Sequence, residues 1–191
     1  MKKATAFLAL LWFILGGSPV LADDTSSLAL NVRVAGTPKA DGSLELTLYA
    51  QAPATRYLKV LSEPSGTPLL LLLDHRAGAL GPEERHAWAK TGGAVVETSL
   101  EETAPRVGGL KRPAGDTRIV VIAGRGEGEL VLADAQVGAG AFSFSVSWRE
   151  GRFTHCCENP PCGYRCVDCS GPAFTCCGPP CEISCGHVNC P

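Results

Sequence analysis

The sequence predicts an all-β sandwich with one short helix, followed by a small, loop-dominated, cysteine-rich C-terminal module. Apolar residues alternate with polar ones in about eight short segments, which is the pattern of half-buried strands. Glycine, proline and charged clusters separate these segments, as turns require. All ten cysteines lie between Cys156 and Cys190, and no cysteine precedes them.

Residues 1–22 have the pattern of a secretory signal peptide. Two lysines form a short positive region, and an apolar run of about a dozen residues follows from Ala4 to Leu15. A small residue at Ala22 fits the cleavage rule, so the predicted exported chain begins at Asp23. An uncleaved membrane anchor is the alternative, but the run is shorter than the roughly 20 apolar residues of a membrane span. We therefore expect a periplasmic or secreted protein without a transmembrane span in its mature chain.

Charge narrows the range of partners. Loss of the signal peptide removes two of the 17 basic residues, which leaves 15 against 19 acidic residues and a net charge of −4. A slightly acidic chain without a basic run lacks the electrostatic footprint of nucleic-acid or anionic-membrane binding. The composition therefore predicts a protein or cell-envelope component as partner, and no nucleic acid.

The segments with period-two alternation are predicted as strands. In the clearest of them, Ala141–Trp148, four large apolar residues share one face and three serines share the other. The full set is Leu28–Val34, Leu44–Ala50, Tyr57–Ser62, Pro68–Asp74, Ala94–Leu100, Thr117–Ala123, Glu129–Ala133 and Ala141–Trp148.

One segment breaks this alternation and is predicted as a helix, Pro82–Lys90. A proline and two acids stand where a helix start favours them, and Lys90 followed by two glycines supplies a stop. Because an amphipathic sheet covers its apolar face with another sheet, the strands predict a sandwich. An immunoglobulin-like arrangement is the first choice, without the internal cysteine pair of antibody domains. We assign residues 23–150 to this domain.

Residues 151–191 form the predicted cysteine-rich module. Cysteine makes up about a quarter of this segment, and large apolar residues are too few for a core, so disulfides or bound metal must hold it. Regular secondary structure is not expected in this segment, because prolines and glycines occur throughout it.

The module contains two half-repeats of five cysteines. The segment from Cys156 to Cys166 aligns with the segment from Cys176 to Cys185 after deletion of one residue. Because five is odd, complete oxidation within the chain requires at least one bridge between the halves. Adjacent cysteines seldom bond to each other, so each vicinal pair should send its sulfurs in two directions. The halves hold Cys156, Cys157, Cys162, Cys166 and Cys169, and then Cys176, Cys177, Cys181, Cys185 and Cys190.

Two kinds of chemistry compete for these thiols. Export favours disulfides, which predicts a non-enzymatic binding or structural protein with a stapled recognition module and no cofactor. The alternative is a thiolate site for zinc or copper(I), which predicts a metal chaperone or scavenger. Cys166 and Cys169 are the best pair of ligands for such a metal, and His155 and His187 could add imidazole ligands.

A hydrolase-type enzyme with a site on the sandwich loops is a third hypothesis. His75 and His86 flank a predicted loop and the predicted helix, near several acids. Exposed loop and helix residues explain these histidines equally well. We therefore assign no catalytic residue.

The oxidised alternative predicts the mass of the exported chain. Under non-reducing conditions the intact mass should equal that of a chain starting at Asp23, less about ten hydrogens, because ten thiols form five bridges. Intact-mass spectrometry with prior alkylation measures this. Bound metal, and ten alkylatable thiols after chelation, would support the thiolate site instead. A chain that retains Met1 would contradict the signal peptide.

Overall fold

The computed structural model describes residues 29–76, 80–112, 117–126, 128–149, 151–159, 163–170, 174–176 and 183–184. The signal peptide predicted at residues 1–22 lies outside the described residues. The same holds for His187, Cys162, Cys177, Cys181, Cys185 and Cys190.

The eight predicted strands and the predicted helix are all present, with small shifts at their ends. In the described residues the element order is β1 (Leu30–Pro38), β2 (Ser43–Gln51), β3 (Tyr57–Glu63), β4 (Thr67–Asp74), α1 (Pro82–Lys90), β5 (Ala94–Thr98), β6 (Arg106–Lys111), β7 (Thr117–Arg125), β8 (Gly128–Val137), β9 (Phe142–Arg149), β10 (Arg152–Asn159), β11 (Gly163–Cys169), β12 (Phe174–Cys176) and β13 (Ile183–Ser184).

The strands form two sheets that face each other, which confirms the predicted sandwich. Sheet A has the order β11-β10-β9-β1-β2-β6, and sheet B has the order β13-β12-β8-β7-β3-β4-β5. Three strands of sheet A, β1-β2-β6, are arranged like strands A-B-E of immunoglobulin domains. Four strands of sheet B, β4-β3-β7-β8, are arranged like strands C′-C-F-G of those domains. The fold departs from that pattern where β9 lies beside β1 and where β5 runs parallel to β4.

The main core lies between the sheets and follows from the alternation in the strands. Every second residue of β1, β2 and β9 points inward, since successive side chains of a strand alternate between its faces. The inward residues of these three strands are buried: Leu30, Val32, Val34, Leu44, Leu46, Leu48, Ala50, Phe142, Phe144 and Val146.

Strand β4 is buried on both faces, which explains its run of five leucines. Helix α1 leads from β4 to its parallel neighbour β5, and a second apolar cluster forms on the outer face of sheet B. Leu71 and Leu73 belong to this cluster, with Trp88 of the helix packed against them. No helix among the described residues is long and apolar enough to cross a membrane.

Two parts of the strand pattern were not predicted. Strand β6 carries two consecutive glycines, Gly108 and Gly109, which interrupt the alternation of apolar residues. Strands β10 to β13 lie in the cysteine-rich segment, so the expectation that regular structure is absent there is wrong for residues 152–159, 163–169, 174–176 and 183–184. The division into domains at residues 150 and 151 stays a prediction, although β10 is hydrogen-bonded to β9.

A close approach in sheet A requires glycine at position 36. An ideal Cβ at Gly36 would lie 2.2 Å from the ring of Phe142, its directly opposite residue on β9. Replacement of Gly36 by alanine should therefore lower the free energy of unfolding by about 1–3 kcal/mol through overpacking. Urea unfolding measures this loss. Gly138→Ala is the matched control, because a Cβ at Gly138 meets no atom within 4 Å. Equal losses in both variants would contradict the explanation.

Candidate functional site

The candidate site is the antiparallel pair β10 and β11, which we call the edge hairpin. It extends sheet A beyond β9, and its register runs from Phe153 opposite Cys169 to Asn159 opposite Gly163. Strand β10 is therefore an inner strand of sheet A, and β11 is the outermost strand at that end within the described part of the chain.

The inner face of the edge hairpin belongs to the sandwich core. Phe153, His155 and Cys157 alternate along β10 and are all buried. Trp148, Val146 and Phe144 stand opposite them on β9 in the same order. Because alternate side chains of a strand point to the same face, one face of this part of the cysteine-rich segment packs in the apolar interior.

The outer face carries a disulfide between directly opposite residues. Cys156 and Cys166 form this bridge, with their Cα atoms 4.1 Å apart. The hydroxyl of Thr154 donates a hydrogen bond of 2.6 Å to Oδ1 of Asp168, two residues further along the same face. The hydroxyl of Tyr164 donates to Sγ of Cys156 at 3.2 Å. One covalent bond and two hydrogen bonds thus hold the outer face.

Two further cysteines of the hairpin, Cys157 and Cys169, are also in disulfides. They cannot bond to each other, because Cys157 stands opposite Arg165 and Cys169 lies four residues further along β11, about 13 Å away. Each of them therefore bonds to a cysteine outside the edge hairpin. Cys156 and Cys157 send their sulfurs in two directions, as expected of a vicinal pair. No free cysteine occurs in the described residues.

His155 is held neutral inside the core. Its side chain is 1% exposed and stacks on Phe153, with 6.1 Å between the ring centroids. Burial lowers the pKa of His155 from 6.5 to about 4, because the charged imidazolium is poorly solvated there. The imidazole is consequently uncharged at neutral pH.

Among the described residues, the structure places Cys166 apart from Cys169 and His155, three of the four predicted metal ligands. Cys166 points to the outer face and is bonded to Cys156, whereas Cys169 and His155 belong to the inner face. A C-x-x-C motif needs a turn to direct both thiolates to one metal. In an extended strand, residues three apart point to opposite faces. The described residues contain no group of three or more His, Cys, Asp or Glu side chains placed to hold a metal.

His75 and His86, the histidines of the enzyme hypothesis, are both exposed. Asp74, the acid next to His75, is bonded to other residues. The buried carboxylate of Asp74 accepts hydrogen bonds from the Arg76 guanidinium and from the backbone N–H of Leu100. The Arg76 side chain is the main reason that the pKa of Asp74 falls to about 2. Asp74 thus fixes the loops that carry His75, while His86 lies on the exposed side of α1.

Tyr164, Thr154 and Asp168 were not predicted from the sequence as site residues. The signal that could have found them is the alternation of residues 153–157 and of residues 164–169, which predicts two strands with a common outer face. Comparison of the chain with protein-family models, with curated proteins and with solved structures gave no match. The function is therefore argued from this geometry.

Burial of His155 predicts a pH dependence of stability. The unfolded chain binds a proton near pH 6.5 and the folded chain only near pH 4. Stability should therefore be complete above pH 6.5 and decline as the pH falls towards 4, by about 3 kcal/mol in total. Urea unfolding between pH 7 and 4.5 measures this slope.

Two variants isolate the contribution of this histidine. His155→Gln removes the titrating group and should flatten the slope, whatever its effect at pH 7. His75→Gln, at an exposed position, should retain the wild-type slope. A slope that is unchanged in His155→Gln would refute the assignment.

Proposed function

We propose that the protein is an exported, non-enzymatic binding or structural protein that contacts a protein or cell-envelope component through its edge hairpin. The observation that carries this proposal is Tyr164, a large side chain that is 65% exposed on a disulfide-stapled strand pair. The proposal includes no cofactor.

The composition of the hairpin surface supports recognition. Among the described residues, the exposed large hydrophobic side chains are those of Tyr164 and Val131, the latter 38% exposed. Tyrosine is one of the residue types most enriched at the energetic centres of protein interfaces.

Rigidity also favours a recognition role. Binding costs free energy when loops and side chains lose conformational freedom, so a surface that is already ordered binds more tightly. The Cys156–Cys166 bridge and the Thr154–Asp168 hydrogen bond order the hairpin before any partner arrives. Tyr164 is itself tied at its hydroxyl to Sγ of Cys156.

The surface next to the hairpin is polar, as the rim of an interface is. On β9 the outward residues are Ser143, Ser145 and Ser147, and Arg33 of β1 donates a hydrogen bond of 3.4 Å to the hydroxyl of Ser143. An apolar anchor beside such a rim has the usual anatomy of a non-obligate interface. The bonded sulfurs of Cys156 and Cys166 favour this function over a thiolate metal carrier, because a sulfur in a disulfide is not a thiolate ligand.

Site-directed photocrosslinking in the source cells tests this function. A benzoylphenylalanine residue in place of Tyr164 should give one dominant adduct, because this position would lie at the centre of the interface. The same residue in place of Val131 is the matched control, since Val131 is exposed on sheet B and should give no such adduct.

Direct binding completes the test. The crosslinked partner, once purified, should bind the wild-type protein, and Tyr164→Ala should weaken this binding at least tenfold. Equal adducts at positions 164 and 131, or no adduct at either, would reject the hairpin as the contact surface.

A further inference from the structure

The disulfide on the outer face of the edge hairpin has two unlike ends. Cys156 is 5% exposed, whereas Cys166 is an exposed residue on the outermost described strand of sheet A. A thiol in solution therefore has access to one residue of this bridge and not to the other. Access is one of the factors that decide which sulfur of a disulfide is attacked.

The direction of attack also distinguishes the two sulfurs. A thiolate displaces a disulfide sulfur along the line of the breaking S–S bond. The bridge joins opposite residues, so the side of Cys166 away from Cys156 is the edge of sheet A. The corresponding side of Cys156 is occupied by β9, where Ser145 is its opposite residue. Among the described residues, β9 stands on the side from which Cys156 would be attacked in line, and no strand of sheet A stands on that side of Cys166.

The leaving sulfur is already hydrogen-bonded. The Tyr164 hydroxyl donates to Sγ of Cys156 at 3.2 Å, and Tyr164 stands two residues before Cys166 on the same face of β11. A hydrogen bond to a sulfur that gains negative charge becomes a charge-assisted bond, which is about twice as strong as a neutral one. A better-stabilised leaving thiolate accelerates thiol–disulfide exchange.

We propose that Cys166 is a site of thiol–disulfide exchange for an external thiolate, with Cys156 as the leaving group and Tyr164 as the donor that stabilises it. The attacking thiolate forms a mixed disulfide with Sγ of Cys166, and the electron pair of the broken S–S bond passes to Sγ of Cys156. A second equivalent of the same thiol then attacks the mixed disulfide. That step releases Cys166 as a thiolate and yields the oxidised, dimeric form of the external thiol.

Among the described cysteines of the edge hairpin, Cys166 is the one open to direct attack. Cys157 and Cys169 are also in disulfides, but they are 2% and 6% exposed on the inner face. An external thiol reaches the sulfurs of these two cysteines only after the edge hairpin separates from the core. The cysteines of the two faces therefore differ in direct reactivity, because alternate residues of a strand face opposite sides of the sheet.

Peptide mapping after brief treatment with reduced glutathione tests the proposal. The folded, oxidised protein is incubated with glutathione, quenched with acid, alkylated with N-ethylmaleimide and digested. The early products should carry glutathione on Cys166 and maleimide on Cys156, followed by maleimide on both. Cys157 and Cys169 should carry no glutathione over this interval. Glutathione on Cys156, or on Cys157 or Cys169 at the same rate as on Cys166, would overturn the proposal.

Two variants test the role of the tyrosine. Tyr164→Phe retains the ring and removes the donor, and it should slow the first exchange about tenfold. Tyr49→Phe is the matched control, because Tyr49 lies on the outer face of sheet A but on β2, four strands away from β11. Its rate should equal that of the wild type. An unchanged rate in Tyr164→Phe would show that the hydroxyl does not assist the leaving sulfur.

Discussion

The register of β10 against β9 is the constraint on which the rest of this end of the molecule depends. It places Phe153 opposite Trp148 and His155 opposite Val146, so that one face of β10 completes the core. Because side chains alternate along a strand, a slip of one residue would expose this face and bury Thr154 and its partner on β11. The apolar contacts of the inner face therefore fix which sulfur points outward.

This alternation gives adjacent cysteines different roles. Cys157 contributes to the core and to a bridge that leaves the edge hairpin, whereas Cys156 forms the bridge on the outer face. The residues that stabilise the fold thus lie on one face of β10, and the accessible disulfide lies on the other face. The cysteine-rich segment is held by both sulfur chemistry and hydrophobic burial, since Phe153 and His155 are as buried as the residues of the central strands.

The sandwich was predictable from sequence because each of the eight predicted strands carries its own signal. Alternation in β9, and the proline and acids at the start of α1, indicate local structure without knowledge of the partner strand. The edge hairpin was not predicted in this way. The prolines, glycines and cysteines of the segment indicated irregular structure, and the alternation around His155 is short. Cys166 and Cys169 were paired as metal ligands because of their spacing, but they lie on opposite faces of β11. Spacing alone does not reveal whether the chain is extended or turned.

Recognition and exchange converge on Tyr164. Its ring is the exposed anchor of the proposed interface, and its hydroxyl contacts the sulfur that leaves in the proposed exchange. Opening of the outer bridge would remove a covalent constraint on β11, while the burial of Phe153 would still hold β10 against β9. The sandwich would therefore stay folded as the geometry around Tyr164 relaxes. A thiol could then change the affinity of the hairpin for its partner without unfolding the protein, because the exchange occurs on the outer face of β10 and the core contacts lie on its inner face.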